Sequence, residues 1–483
     1  QELPFLLSRT PGILAWSENG IGTGTTYMRI RGAAGSRINV TLDGVALNSP
    51  EDQTVFWANM NSYSSLLGSI QVQRGVGSST NGDGAFGGSI SMATAAPSLT
   101  PTAEVTGSFG SYNTYHTGAS FSTGLLGKHL IFDGAYHETA TDGYVDGTAG
   151  RSGSYYGGLT WLGDNFKVSY KNIGNFEKTG QAWNGVLGGD YNSNFTLLQD
   201  GIRTYKDMYK AGLDKFNVLT GDMVRNDKGD YTITPYTLRD GSKWDKTTDN
   251  FYQNHNILSA TWTPGSHWSH SLSLHYTYGY GYYKEFKNNA KFAKFGLVYY
   301  DTEGNFIKKS DFIRKKGLTQ HTYGMVYNTN YKDEHWDVIG GLNLQQFRGN
   351  HWGYLTYIAN EDAEKKFLGS NGKYKYYDSD AHKYDYSAFV KASYRFADYW
   401  NAFADLQYRR VEYKTDGIND KFIALKDGSY KNQELNINEK YVNVLNTAMG
   451  LCAITLGANV AMESMQKSEY PYGIEEEARS LYP

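Results

Sequence analysis

The sequence predicts a mainly β protein in which a small N-terminal α+β domain precedes an antiparallel transmembrane β-barrel. Three observations support this prediction. Short apolar strands alternate with glycine turns in the first hundred residues, alternating apolar and polar residues follow, and the connections between the later strands are alternately short and long. The composition agrees, because 41 Tyr and 55 Gly in 483 residues are typical of aromatic strands and tight turns.

The N-terminal domain is defined by short apolar segments with turn residues between them. We predict strands at 38–42, 69–73 and 89–93, with one short helix within 56–67. The dipeptide Asp43-Gly44 indicates a turn, because glycine adopts positive φ at little steric cost. The result is an α+β unit too small to be the whole protein.

Gly82, Gly84 and Gly87 have the spacing of a dinucleotide-binding fingerprint. That fingerprint has meaning only where a strand precedes it and a helix follows it. Residues 89–94 instead alternate like a strand and are closed by Pro97. The pattern therefore argues against a nucleotide cofactor, and we expect none.

After Pro97, polar and apolar residues alternate in many segments. Segments 271–280, 336–345 and 400–409 place large apolar residues on one face and mainly small or polar residues on the other. Strands of a soluble antiparallel sandwich or barrel also alternate, so that fold is the alternative. The mean hydropathy of −0.56 does not exclude a membrane barrel, because its lumen face is polar.

Connection lengths distinguish these two folds. We predict eleven strands, at about 103–109, 113–123, 129–138, 154–163, 166–177, 251–263, 268–280, 318–331, 334–347, 384–396 and 400–413. The connections 124–128, 163–165, 264–267, 332–333 and 397–399 are short, whereas 139–153, 178–250, 281–317 and 348–383 are long and polar. Short turns at one rim and long loops at the other favour the outer-membrane barrel.

Four segments of the N-terminal domain end in glycine turns. They are Arg29-Ile30-Arg31-Gly32, Val40-Thr41-Leu42-Asp43-Gly44-Val45, Ile70-Gln71-Val72-Gln73-Arg74-Gly75 and Gly82-Asp83-Gly84-Ala85-Phe86-Gly87-Gly88. Strands and turns in this order resemble the plug domain of a TonB-dependent outer-membrane receptor. In that family the plug lies inside a 22-stranded barrel.

The resemblance implies three parts. We expect residues 1–97 to be an N-terminally truncated plug domain and residues 98–446 to be a partial transmembrane barrel, about half of 22 strands. Residues 447–483 lack alternation, and we expect an atypical tail that a shifted reading frame or a fragment end would explain. The short motif that contacts TonB in the family has no match in the chain.

The resemblance also implies roles for individual residues. The plug-motif residues, which would hold the plug in its barrel, are Arg31, Gly32, Asp43, Gly44, Arg74, Gly75, Gly82, Gly84, Gly87 and Gly88; the two arginines would pair with barrel glutamates. Loops 32–37 and 46–57 would face outward. The candidate ligand-binding residues are Arg37, Gln53, Phe56, Trp57 and Trp183, although Phe56 and Trp57 are equally compatible with the plug core.

The function implied is import of a scarce nutrient through the bacterial outer membrane. The partners would be the inner-membrane TonB complex, outer-membrane lipid and a small ligand. A ferric siderophore or ferric citrate is the first expectation for the cargo, with haem or cobalamin as alternatives, and a passive porin or surface-binding barrel is the alternative class.

No enzymatic activity and no metal site are expected. Cys452 is the only cysteine, and the spacing of residues defines neither a Ser-His-Asp set nor a carboxylate pair. A net charge of −3 with dispersed basic residues argues against a nucleic-acid partner.

Overall fold

A computed structural model describes residues 2–77, 87–183, 197, 200–397 and 400–421, together with the backbone of two short strands, Asn446–Met449 and Ala453–Thr455. Gly82, Gly84 and nearly all of the predicted tail lie outside the described residues. No helix within the described residues is long and apolar enough to cross a membrane.

The N-terminal domain combines a short helix, a hairpin and a four-stranded sheet. Its elements are α1 (Leu3–Leu7), β1 (Ile13–Ser17), β2 (Thr26–Ile30), β3 (Ile38–Leu42), β4 (Val45–Ala46), β5 (Leu67–Arg74) and β6 (Gly88–Thr94). The sheet order is β4-β3-β6-β5, in which β3 and β6 are parallel and the other pairs antiparallel. The three predicted strands are present.

The helix predicted within 56–67 is two 3-10 turns, Trp57–Met60 and Tyr63–Ser65. Ser62 between them has a φ of 69°, which a continuous helix cannot accommodate. Both turns pack their apolar side chains into the domain core, where Trp57, Met60 and Tyr63 are buried.

Alternating side chains build that core. Ile38, Val40 and Leu42 of β3 are buried, and Ile90 and Met92 of the parallel strand β6 face them in the same cluster. A period of two residues places these apolar groups on one face of the sheet. The cluster is contiguous and also includes Ile173 and Ile257, which lie outside the N-terminal domain.

The glycine turns adopt the predicted conformation. Arg31 and Gly32 have φ of 50° and 85°, and Asp43 and Gly44 have φ of 50° and 83°. Two successive positive φ values are what a two-residue type I′ turn requires. Gly88 is needed for a different reason, because a Cβ there would lie 2.5 Å from the carbonyl oxygen of Gln73.

The rest of the described chain forms one large antiparallel sheet. Its eleven long strands, in spatial and chain order, are β7 (Thr102–Phe109), β8 (Tyr115–Ser122), β9 (Leu130–Thr141), β10 (Gly150–Leu162), β11 (Phe166–Gly180), β14 (Thr248–Trp262), β15 (Trp268–Lys291), β18 (Lys309–Lys332), β19 (Trp336–Ile358), β20 (Tyr374–Ala397) and β21 (Trp400–Ile418). The loops contain β12 (Gly221–Arg225), β13 (Tyr231–Pro235), β16 (Tyr299–Tyr300) and β17 (Phe306–Ile307). The short strands β22 (Asn446–Met449) and β23 (Ala453–Thr455) pair with β21. All eleven predicted strands are confirmed.

The predicted loops 281–317 and 348–383 are wrong in extent. Strand β15 continues to Lys291, and β18 begins at Lys309. Strand β19 continues to Ile358, and β20 begins at Tyr374. Charged and polar residues interrupt the alternation in these extensions, which also contain the buried residues Phe312 and Leu355, while the backbone pairing continues. The remaining loops are 292–308 and 359–373, the second of which contains α3 (Glu361–Leu368).

The two faces of the sheet differ as the alternation predicts. Leu274 and Leu342 are exposed on the outer face, whereas His275 and Thr277 on the inner face are buried. Exposed indole rings lie beside the short turns: Trp161, Trp262, Trp268, Trp336 and Trp400. An apolar band bordered by aromatic rings is typical of a membrane barrel.

The longest connection, residues 181–247, is partly a folded unit. Helix α2 (Tyr205–Lys210) is followed by the β12–β13 hairpin. Met208, Leu213, Phe216 and Met223 are buried there in one cluster with Val145, which lies between β9 and β10. The connection therefore packs against that segment.

We expect Gly88→Ala to destabilise the N-terminal domain by about 1–3 kcal/mol, because the added methyl group must displace the Gln73 carbonyl. Gly107→Ala is the matched control, since a Cβ there meets nothing within 4 Å. Urea unfolding of the purified protein, followed by tryptophan fluorescence, measures both. Equal unfolding midpoints for the two variants would show that this close approach does not constrain the domain.

Candidate ligand cavity between plug and barrel

A cavity of about 390 Å³ lies between the N-terminal domain and the inner face of the large sheet, towards the long-loop rim. Its floor is the loop after β4, residues 46–52, with Phe56, Asn59 and Met60. Its wall comes from six strands, β14, β15, β18, β19, β20 and β21; the side chains include Phe251, Gln253, His255, Gln320, Gln345, His351 and Tyr413. Most of these wall residues are polar, and they are widely separated in sequence.

Asn48 sets the shape of the floor loop. Its side-chain oxygen accepts a hydrogen bond from the Val40 amide at 2.8 Å, and its nitrogen donates to the carbonyls of Ile38 and Gln53, each at 2.8 Å. Asp52 accepts from the Thr54 amide at 2.9 Å. These bonds tie the loop to β3, so the cavity floor is rigid before any ligand arrives.

Glu51, at the tip of the loop, contacts the wall. Its carboxylate lies 2.6 Å from Nε2 of His351 and accepts a 3.3 Å hydrogen bond from the Tyr413 hydroxyl. The Lys383 ammonium donates to the Pro50 carbonyl at 2.7 Å. Three strands of the sheet, β19, β20 and β21, thus hold one turn of the N-terminal domain.

His351 lies fifteen residues after Trp336 at the start of β19, beyond the 9–11 residues with which a strand crosses a bilayer. Burial lowers the pKa of the imidazole, but the Glu51 carboxylate outweighs this effect and the net pKa is raised. Burial also raises the pKa of the Asp52 carboxyl, despite the hydrogen bonds it accepts. The floor is therefore sensitive to pH.

A second contact holds the opposite end of the plug sheet. Lys171 of β11 lies 2.9 Å from Asp43 and donates to the Thr94 hydroxyl at 2.6 Å. Asp43 also accepts from the Thr94 amide at 3.1 Å. The Asp43-Gly44 turn is thereby joined to β6 and to the sheet wall at once.

A third set of contacts joins the 3-10 turns to β9 and β11. The Tyr63 hydroxyl donates to Asn175 at 3.3 Å, and the Ser62 and Thr139 hydroxyls lie 3.3 Å apart. Ile173 of β11 and Ile257 of β14 are also buried in the apolar cluster of the N-terminal domain. The N-terminal domain is therefore seated against the wall by apolar contacts as well as by hydrogen bonds and ion pairs.

The candidate ligand-binding residues occupy different environments. Phe56 is 53% exposed and lines the cavity, whereas Trp57 is 5% exposed in the domain core. Arg37 and Gln53 are half-buried beside the floor loop and do not line the cavity. Trp183 packs edge-on against Tyr283, with ring centroids 5.0 Å apart.

The two plug arginines lie together. Arg74 donates to the Pro11 carbonyl at 2.8 Å, and both arginines line a groove with Gln71 and Ser89. Within residues 2–77 and 87–421 as described, neither forms an ion pair with a barrel carboxylate. Their pairing with barrel glutamates stays a prediction.

Sequence reasoning missed several contact residues, namely Glu51, His351, Lys383, Tyr413 and the pairing of Lys171 with Asp43. Glu51 lies in a loop that was expected to face outward, but its partners are hundreds of residues away. Only their position on the inward face of alternating strands could have drawn attention to them.

Residues 1–89 match the family model described as TonB-dependent Receptor Plug Domain. Residues 1–89 accordingly form a plug domain. The large sheet faces this plug, and the cavity lies between the plug and the sheet.

Solved structures share this fold. The ferric-catecholate import receptor Fiu from E. coli K12 has a TM-score of 0.58 at 11% identity, over 94% of this chain and 58% of Fiu. The ferric citrate transporter FecA has 0.56 at 12%, over 86% and 54%, and the copper transporter OprC has 0.56 at 13%, over 85% and 53%. The chain spans about half the length of these proteins. No curated protein sequence matches it.

The contact between plug and wall at Lys171 is testable by a double-mutant cycle of Asp43→Asn and Lys171→Gln. We expect a coupling energy of about 1–3 kcal/mol, because the two groups are largely buried and hydrogen-bonded to each other. Urea unfolding of the purified protein measures each variant. Additive effects of the two substitutions would contradict the contact.

The contact at Glu51 predicts a pH dependence. The folded-state pKa of His351 is raised, so the pair stabilises the docked plug fully below pH about 6.5 and loses this contribution as the pH rises through the higher folded value. Nearby Asp52 raises the His351 pKa and Lys316 lowers it, so both belong to the same titration. We expect thermal stability to fall from about pH 6 to 8 and His351→Gln to flatten the profile. His335→Gln, at the short-turn rim, should keep the wild-type profile.

Proposed function

We propose that the protein is a TonB-dependent outer-membrane receptor that imports a scarce nutrient. The observation that carries this proposal is the cavity between the plug loop and the barrel wall at the long-loop rim. A ligand arriving from that side reaches the cavity before it reaches the rest of the plug. The plug and the barrel together then define an import route instead of a catalytic centre.

The proposed cargo is a ferric siderophore or ferric citrate. Phe56 and Phe251 offer apolar surface, while the amides of Gln253, Gln320 and Gln345 offer donors to the oxygen atoms of a chelate. The cavity lies in the lower part of the 300–1,000 Å³ range of small-molecule sites. Among the solved structures that share the fold, Fiu is described as a ferric-catecholate import receptor, FecA as a ferric citrate transporter and OprC as a copper transporter.

Transport requires that the plug move within the barrel, and the contacts at Lys171 and Glu51 are suited to this. Hydrogen bonds and ion pairs break over a short displacement, and water entering the lumen replaces them. We infer that the inner-membrane TonB complex pulls on the plug and breaks these contacts one after the other. A ligand bound beside Glu51 would weaken the contact between Glu51 and His351 before the contact between Asp43 and Lys171.

Growth of an iron-starved strain that lacks its own receptors tests this function. The strain carries the full-length parent gene and receives ferric siderophores, ferric citrate, haem or cobalamin in turn, with and without TonB. We expect rescue by one ferric chelate, and only when TonB is present. Uptake of many solutes without TonB would contradict the receptor function and would indicate a passive porin.

A matched pair of aromatic variants tests the cavity. Phe56→Ala should weaken uptake of the rescuing chelate about tenfold or more, because burial of an aromatic side chain contributes about 1.5–3 kcal/mol to binding. Tyr209→Ala removes an aromatic ring that is 71% exposed on α2 and should leave uptake unchanged. Radiolabelled iron uptake at limiting chelate concentration measures both. Equal uptake by the two variants would place the ligand elsewhere.

A further inference from the structure

Asn61 of the plug and Glu177 of β11 form a buried contact between the plug and the wall. The side-chain nitrogen of Asn61 donates to Oε2 of Glu177 at 3.4 Å. The two residues are 1% and 4% exposed, and the neighbouring plug residues Ser62 and Tyr63 are buried with them. We call Asn61 and Glu177 the carboxyl–amide pair. Since one member belongs to the plug and the other to the wall, the pair exists only while the plug is seated.

Each member of the carboxyl–amide pair has an oxygen atom without a partner. Among the described residues, Oε1 of Glu177 and Oδ1 of Asn61 are buried and form no hydrogen bond. A buried polar atom without a partner destabilises the protein, and a buried charge without a compensating charge does so more strongly. An ionised Glu177 would incur both costs, because a carboxylate can only accept hydrogen bonds.

One proton on Oε1 of Glu177 removes both costs. The carboxyl O–H then donates to Oδ1 of Asn61, while the nitrogen of Asn61 continues to donate to Oε2 of Glu177. A protonated carboxyl group and a primary amide each offer one donor and one acceptor to the other, so the two planar groups are complementary. The ionised group is not complementary, because two acceptor oxygens then have only one donor between them.

The carboxyl–amide pair lies beyond the part of β11 that would cross the membrane. Counted from Phe166, Glu177 is the twelfth residue of the strand, and a strand crosses a bilayer in about 9–11 residues. Glu2 accepts from the Ser62 amide at 3.1 Å and so holds the residue next to Asn61. Water that enters between the plug and the wall can therefore reach the pair without passing through lipid.

The charges around Glu177 also favour the neutral acid. Burial is the largest effect and raises the pKa of Glu177 well above its usual value of 4.5. The charged groups that act on Glu177 are Asp249 of β14 and Glu2 of the plug, which are both acidic and raise this pKa further, whereas the Thr179 hydroxyl lowers it in part. Glu18 of the plug raises the pKa of Asp249 in the same way. The surroundings thus repel a negative charge from both sides of the boundary.

We propose that Glu177 holds one proton while the plug is seated and releases it when Asn61 moves away. This rests on the proposed function only in that the plug moves during import. As Asn61 withdraws, water takes its place, the O–H bond of the Glu177 carboxyl group breaks, and the proton passes to water. The hydrated carboxylate that remains cannot pair with Asn61 again until it takes up a proton. Return of the plug therefore consumes the proton that its departure released.

Infrared spectroscopy of the purified full-length receptor tests where the proton lies, because the carbonyl stretch of a protonated carboxyl group is separate from the bands of a carboxylate. Spectra are recorded at about pH 6, where an exposed glutamate is ionised. We expect Glu177→Gln to lose a protonated-carboxyl band. Glu177→Met should lose the same band, so the assignment does not depend on one variant. The control, Glu334→Gln on the exposed turn between β18 and β19, should lose carboxylate absorption instead.

Urea unfolding at several pH values tests the link between the proton and the seated plug. The folded pKa of Glu177 is raised, so its contribution to stability is fully present below about pH 4.5 and is lost as the pH rises towards the folded value. One proton released on unfolding raises the unfolding constant about tenfold per pH unit in this window. Glu177→Gln should lose this part of the slope, because its amide makes the same two bonds to Asn61 without a proton to release. Glu334→Gln should keep the wild-type slope.

Two results would overturn the proposal. One is loss of a carboxylate band, and of no protonated-carboxyl band, in the Glu177 variants; the other is an equal pH slope in the wild type and Glu177→Gln. TonB-dependent rescue by the wild-type gene tests the receptor function separately, since neither the infrared band nor the unfolding slope requires transport.

Discussion

The antiparallel hydrogen-bond ladder from β7 to β21 is the constraint on which the rest of the structure depends. For the outer-membrane barrel that we propose, every backbone donor and acceptor in the bilayer interior needs a partner within the protein, so the strands must pair along their length. Pairing fixes the register, and the register decides which side chains become neighbours. The inward set makes the wall of the cavity, and the outward set makes the apolar band with its bordering indole rings.

The plug is bound to this wall by two kinds of contact. Its apolar core continues into the wall, where Ile173 and Ile257 are buried in the same cluster. Polar contacts add to this: Asp43 with Lys171, and Glu51 with His351 and Tyr413. The polar contacts exchange with water when the plug moves, whereas separation of the apolar contacts exposes buried surface to water. The proposed import mechanism therefore requires energy to separate the apolar contacts.

Local sequence patterns predicted much of the fold. The eleven strands were predictable because each has a period of two, and the Asp43-Gly44 turn because two positive φ values favour that dipeptide. The extensions of β15, β18, β19 and β20 were not predictable, because charged and polar residues interrupt the period of two there. Trp57 illustrates the same limit, since an aromatic residue in an exposed-looking loop is equally suited to a core and to a ligand site.

The sequence by itself determined the class of protein, the order of plug and barrel, and the strands that form the wall, because these follow from alternation, turn chemistry and motif order within short windows. Only the tertiary structure decided that Glu51 meets His351 and that Lys171 meets Asp43. Those pairings depend on register between strands and on how the plug sits in the wall. A contact between residues far apart in the chain leaves no local signal, since each partner satisfies its own strand's pattern whichever residue it faces.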